Sequence, residues 1–176
     1  MALIDRIFPS AVKPRDSDAN DNPLAWKEVV YTDSSGVQSG KVGYICRVFN
    51  NSGATLPVGQ IAMVDYKGTP ANSPQVITPA TNTPAREILV AAESVPNGAW
   101  GWFYFSGWCN ALVNGTSAVA IGDYLKVTSG TSTTAMIKDS STTMSVGTLA
   151  VAGAAQAAGS DVLTLIELLG GKAIVA

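Results

Sequence analysis

Ala99-Trp-Gly-Trp-Phe-Tyr-Phe-Ser-Gly-Trp-Cys-Asn-Ala-Leu-Val113 holds three of the chain's four tryptophans and two of its four phenylalanines. Aromatic and β-branched residues suit a pleated, packed surface, and Gly101 and Gly107 are points where a strand bends or bulges. Trp100, Trp102, Tyr104 and Trp108 share one parity, and Phe103 and Phe105 take the other. Strict alternation therefore predicts a strand that is apolar on both faces, buried in a core or covered by a partner subunit. An aromatic platform for sugars is the competing reading of Trp100, Trp102 and Trp108. It needs exposed ring faces, and the stretch offers few polar neighbours for hydroxyl groups.

Around that strand the composition is poor in charge. The 176 residues fit one domain with a proper core, and 47% are apolar, but only 14% are charged against a usual figure of about 25%. Such a surface is either hidden in contacts or covered by Ser, Thr, Asn and Gly. A net charge of −2 without any basic run argues against nucleic acid as the main partner. The chain has no histidine, which removes the commonest general base, the usual hydrolytic triad and most zinc sites. Its two cysteines, Cys46 and Cys109, stand 63 residues apart, too far for a CxxC motif, and read as two core thiols. The opening Met-Ala-Leu-Ile-Asp-Arg-Ile-Phe-Pro9 lacks the pattern of a secretory signal. No apolar run reaches the roughly 18 residues of a membrane span. The expectation is a soluble protein made in a cytoplasm, with no membrane partner.

In chain order, residues 1–25 read as an extended N-terminal arm. Leu3, Ile4, Ile7 and Phe8 form an apolar tip, and Pro9, Pro14 and Pro23 forbid a long regular element. The β domain, residues 26–176, follows with strand signals at Trp26–Thr32, Lys41–Phe49 and Ile61–Tyr66 and turns such as Asn50-Asn-Ser-Gly53. An internal repeat then becomes visible. Val58-Gly-Gln-Ile-Ala-Met-Val64 aligns with Ile121-Gly-Asp-Tyr-Leu-Lys-Val127 at an offset of 63. Val76-Ile77 falls on Met136-Ile137, and Ile88–Ala91 on Thr148–Val151, both at an offset of 60. Gly98 meets Gly159, which lays Trp100–Phe105 over Asp161–Ile166. The fold class implied is mainly β: a single β-barrel or β-sandwich domain with an internal duplicated β unit, about 54–107 and 117–170, preceded by the arm. The apolar end, Ala173-Ile-Val-Ala176, is expected to be held by a contact.

Catalytic patterns are missing from the sequence. Asp65, Glu87, Glu93, Asp123, Asp139, Asp161 and Glu167 are scattered without the spacing of a facing acid pair, and Asp123 and Asp161 sit where turn residues belong. Gly170-Gly171 lacks the phosphate-loop pattern, and the Ser-rich loops have no partner base. No catalytic, metal or cofactor site is assigned.

One resemblance is carried by particular residues. Arg47-Val-Phe-Asn-Asn-Ser-Gly-Ala-Thr-Leu-Pro-Val-Gly-Gln-Ile-Ala62 resembles the N-x-S/T-G-x-x-L-x-x-G-x-x-V opening of small tailed-phage head proteins. Gly98-Ala-Trp-Gly-Trp-Phe-Tyr-Phe-Ser-Gly107, then Ala120-Ile-Gly-Asp-Tyr-Leu-Lys-Val127 and Val146-Gly-Thr-Leu-Ala150, continue the likeness over roughly residues 44–170. The family is that of tailed-bacteriophage capsid decoration, or cement, proteins. The resemblance implies a non-enzymatic β-rich subunit, often trimeric, that binds the major capsid protein on the outer surface of the assembled virion and reinforces it. The resemblance does not cover the arm, whose role rests on its own composition; Leu3, Ile4, Ile7 and Phe8 of the arm and Trp100, Trp102 and Trp108 of the aromatic strand are the candidate interaction residues. The alternative is a carbohydrate- or receptor-binding module of a phage tail fibre or spike.

Overall fold

The computed structural model describes residues 26–32, 38–65, 75–77, 88–127, 134–144 and 147–170. The arm over residues 1–25, with Leu3, Ile4, Ile7 and Phe8, lies outside these residues, as does Ala173–Ala176. The described chain contains no helix. Its strands are β1 (Trp26–Thr32), β2 (Gln38–Asn50), β3 (Ile61–Asp65), β4 (Gln75–Ile77), β5 (Ile88–Ala91), β6 (Trp100–Val113), β7 (Tyr124–Lys126), β8 (Ile137–Lys138), β9 (Thr148–Ala152) and β10 (Val162–Leu168). They form one sheet in the order β1-β2-β4-β3-β5-β6-β10-β9-β7-β8, folded back on itself by a further pairing of β2 with β6. The class is mainly β and sandwich-like; the sheet as a whole does not close into one barrel.

The two units share one topology. In the first, β2 runs parallel to β4, and β4–β3, β3–β5, β5–β6 and β6–β2 are antiparallel. In the second, Val113 of β6 bridges Met136, just before β8, in parallel. The pairs β7–β8, β7–β9, β9–β10 and β10–β6 are again antiparallel. Registers repeat as well. Ile61 pairs Val90 as Tyr124 pairs Val151, and Ala62 pairs Leu89 as Leu125 pairs Ala150. Cys46 pairs Phe103 as Cys109 pairs Ile166. The two cysteines are thus one position seen twice; both are buried and no disulfide joins them.

β6 closes the first unit and opens the second, so the units overlap on a strand that the sequence assigns to one of them only. The sequence alignment also needs adjustment. Val90 corresponds to Val151, one residue beyond the expected match, because β9 carries a bulge: Lys126 pairs Thr148 as Met63 pairs Ile88, but Leu125 pairs Ala150, which leaves Leu149 as an extra residue. Phe103 corresponds to Ile166, two residues beyond, because Ser160-Asp161-Val162 stands where the first unit has Ala99 alone. Matching Gly98 to Gly159 holds at the turn but not past the added loop residues.

Burial is divided between two clusters. One holds Cys46, Val48, Leu56, Ala62, Val64, Val76, Leu89, Ala91, Val95 and Phe103. The other holds most of the matching second-unit residues, among them Cys109, Val119, Leu125, Met136 and Ile166, together with Ile61, Met63, Ile88 and Val90. β3 and β5 therefore have one face in each core, which is why Ile61–Val64 and Ile88–Ala91 are unbroken apolar runs.

The aromatic strand behaves differently from the expectation. Phe103 is fully buried, but Trp100, Trp102 and Trp108 are half-buried. Their single face is lost to a β-bulge. Tyr44 pairs Ser106 and Ile45 pairs Tyr104, so Phe105 is an extra residue that reverses the alternation. Tyr104 packs against the second core, and so does Cys109, five residues on. Trp108, adjacent to inward Cys109, is sent to the outer face. Gly107 permits the bend at φ 79°, and a Cβ there would overlap the Val42 carbonyl oxygen.

Candidate interaction surface

Strand pairing fixes the surroundings of each tryptophan. Trp100 pairs Phe49, and their rings meet edge to face with centroids 5.6 Å apart. The Trp102 backbone N–H donates to Glu93 Oε1 at 3.0 Å, and Lys27 Nζ lies 4.3 Å from the centre of its ring. Lys41 Nζ lies 4.2 Å from the centre of the Trp108 ring. Gly153 leaves room for that ring, since a Cβ there would overlap Trp108 Cζ3. Each ammonium–ring contact at such a half-exposed site contributes about 0.5–1 kcal/mol. The lysines cover ring surface that stacking on a sugar would require.

A groove of about 550 Å³ runs beside β10, lined among others by Tyr31, Asn110, Gln156, Ser160, Leu163 and Thr164. Its central polar groups are engaged within the fold. Gln156 Nε2 donates to the Val113 and Ser160 carbonyls at 3.1 and 3.3 Å, and Thr164 Oγ1 donates to Gln156 Oε1 at 2.7 Å.

The carboxylates act mainly as structural acceptors. Asp123 Oδ2 accepts the Ala120 N–H at 2.7 Å and pairs with Lys138 Nζ at 2.7 Å. The Lys138 bond, then the Ala120 N–H, hold its carboxyl below the usual range. Buried Asp139 accepts from Lys126 Nζ at 2.9 Å and from the Ser141 N–H at 3.1 Å. Asp161 Oδ1 accepts from Asn114 Nδ2 at 2.9 Å and the Gly115 N–H at 3.1 Å, fastening the turn before β10. Burial pushes the Cys109 thiol far above its ordinary range, away from nucleophilic reactivity. Among the described residues no group of three or more metal-ligating side chains gathers, and no helix is long and apolar enough to cross a membrane.

Trp100 and Trp102 thus share one face of β6, and Trp108, beyond the bulge, lies on the other. Two other exposed residues match between the units: Val58, in the Pro57–Gln60 turn, and Ile121, in the Ala120–Asp123 turn. The signal for them lies in the repeat itself, in which both occupy the same column. No family model matches the chain, and no curated protein matches it.

Proposed function

We propose that this chain is a structural protein that binds the outside of an assembled tailed-phage capsid and stabilises it, performing no chemistry. The observation that carries the proposal is where the residues of the resemblance sit. Leu56 is buried and bridges Val95, Gly59 makes the following turn at φ 78°, and Gly101 lies against the Val95 side chain. In the second unit Gly122 takes the same turn at φ 89°, Asp123 caps it and Leu125 is fully buried. The likeness to cement proteins therefore rests on positions that determine the fold, in both copies of the unit. Carboxylates engaged as turn and strand fasteners, a charge-poor surface and lysine-covered tryptophans fit an attachment protein better than an enzyme or a sugar binder.

On this reading the partner is the major capsid protein, the protein is a homotrimer, and it is located on the virion surface. Particle composition tests the proposal. Full heads should carry the protein in a fixed ratio to the shell subunit, heads lacking it should take it up on mixing, and the isolated protein should have the mass of a trimer. Recovery with tails alone, together with glycan binding through Trp100, Trp102 or Trp108, would overturn it in favour of a fibre or spike module.

A further inference from the structure

The bend at Gly107 that carries β6 from the first unit into the second occurs again at the end of β10. Phe103 and Ile166 hold the same place in the two units, and four residues beyond each stands a glycine of positive φ, Gly107 at 79° and Gly170 at 68°. Their surroundings match as well. A Cβ on Gly107 would run into Val42 and Gly43, and one on Gly170 into Ser106, with the Phe105 carbonyl oxygen 3.8 Å away. Val42 and Gly43 stand 63 residues before Phe105 and Ser106, the spacing of Cys46 and Cys109. Gly170 therefore bends against β6 as Gly107 bends against β2.

Beyond Gly107, β6 crosses the face of β3 and β5 that is turned from the first core. Its Cys109, Ala111 and Val113 share a core with Ile61, Met63, Ile88 and Val90. The Leu112 N–H donates to the Gly59 carbonyl at 2.8 Å, which ties the strand to the turn before β3. By the registers of β3–β5 and β7–β9, the corresponding face of the second unit consists of Tyr124, Lys126, Thr148 and Val151. These four are half-buried and belong to neither core cluster. The turns before β3 and β7 differ in the same sense. A Cβ on Gly59 would meet the Leu112 nitrogen at 3.3 Å, whereas among the described residues one on Gly122 would meet nothing within 4 Å.

Counted on by 63, Cys109, Ala111, Leu112 and Val113 give Lys172, Ile174, Val175 and Ala176, in a segment outside the described residues. Lys172, Ile174 and Ala176 share one parity, as residues that meet one sheet face must. The face itself is more polar than the one beneath β6, which suits a thin cover. The Lys126 ammonium is already engaged by Asp139 at 2.9 Å, and a lysine at 172 can lay its stem on the sheet with its charge in water.

We infer that residues 171–176 dock on the β7–β9 face of their own molecule as β6 docks on β3 and β5. Ile174 then packs on the sheet, and the Val175 N–H bonds the Gly122 carbonyl. The bend at Gly170 directs the segment there without a second copy. This inference stands on the repeat alone and does not depend on the capsid reading.

Methyl and amide NMR of the full-length protein tests it. The Ile174 methyl groups should show nuclear Overhauser contacts to Val151 or Tyr124, and the Val175 amide should exchange about tenfold or more slowly than an unstructured amide. Ile174→Asp should abolish that protection. Ala173→Asp, at the position of exposed Asn110, should leave it. In a mixture of isotope-labelled and unlabelled protein the contacts should be found within molecules. Contacts found only between molecules would overturn docking on the chain's own body and show the segment given to a neighbour. Free exchange of the Val175 amide with no Ile174 contact, or protection that survives Ile174→Asp, would overturn the docking itself.

Discussion

Phe103 and Ala62 occupy the positions that Ile166 and Leu125 hold in the second unit. The first unit therefore combines a small and a large side chain at these places, and the second combines two of equal, intermediate size. All four are buried, Phe103, Ala62, Leu125 and Ile166 each at 0% exposure. Close packing makes both volumes matter. Phe103→Ile alone should leave unfilled space and cost about 1–3 kcal/mol, on the scale of large-to-small core changes. Ala62→Leu alone should overpack the same cluster at about 1–3 kcal/mol. Together they reproduce the second unit's arrangement, so the double variant should lose less than the sum of the singles by urea denaturation. Strictly additive losses would mean that the two positions do not share space. The cysteines teach a related lesson. Their 63-residue separation excludes a metal or redox motif when read as chemistry, and it equals the repeat offset when read as architecture.

β6 is the element on which both units depend, and Gly107 is its weakest point to change. An alanine there would be placed at φ 79° with its Cβ overlapping the Val42 carbonyl oxygen. Left-handed backbone costs an L-residue about 1–2 kcal/mol, and the overlap forces β2 and β6 apart. Gly107→Ala should therefore destabilise the protein by about 3 kcal/mol or more in thermal unfolding. Gly98→Ala, at φ 78° with no atom within 4 Å of the added carbon, should incur only the backbone cost. Equal losses in the two variants would show that the close passage of β6 over β2 is not tight. At this scale much was legible in the sequence: β1, β3 and β10 follow from their apolar and β-branched runs, and Gly107 marks the bend. The faces were not legible, because one bulged residue, Phe105, reverses them, and a register shift has no sequence signature of its own. The same reversal turns Trp108 away from the face that Trp100 and Trp102 share. The exposed turn tips needed the structure to show how far Val58 and Ile121 stand in water.

For the whole molecule, the decisive feature is that the first unit's β3 and β5 complete the second unit's core. Ile61, Met63, Ile88 and Val90 pack with Cys109, Leu125, Met136 and Ile166, and their neighbours Ala62, Val64, Leu89 and Ala91 pack in the first core. Duplication alone suggests two independently stable halves. The shared strand and the mixed core argue for one cooperative body. A chain ending at residue 114 would expose those four side chains, each worth about 1.5–3 kcal/mol when buried, which sums to about 6–12 kcal/mol against a typical total stability of about 5–15 kcal/mol. It would also deprive β6 of β10 along Gly107–Val113. The full chain should therefore unfold in a single transition, with tryptophan fluorescence and far-UV circular dichroism coinciding and calorimetric and van't Hoff enthalpies agreeing. The chain ending at residue 114 should show neither a cooperative melt nor slow amide exchange in β3 and β5. Two separated transitions in the full chain, or a cooperative melt of the truncated one, would mean that the halves stand on their own and that β6 joins them without making them one.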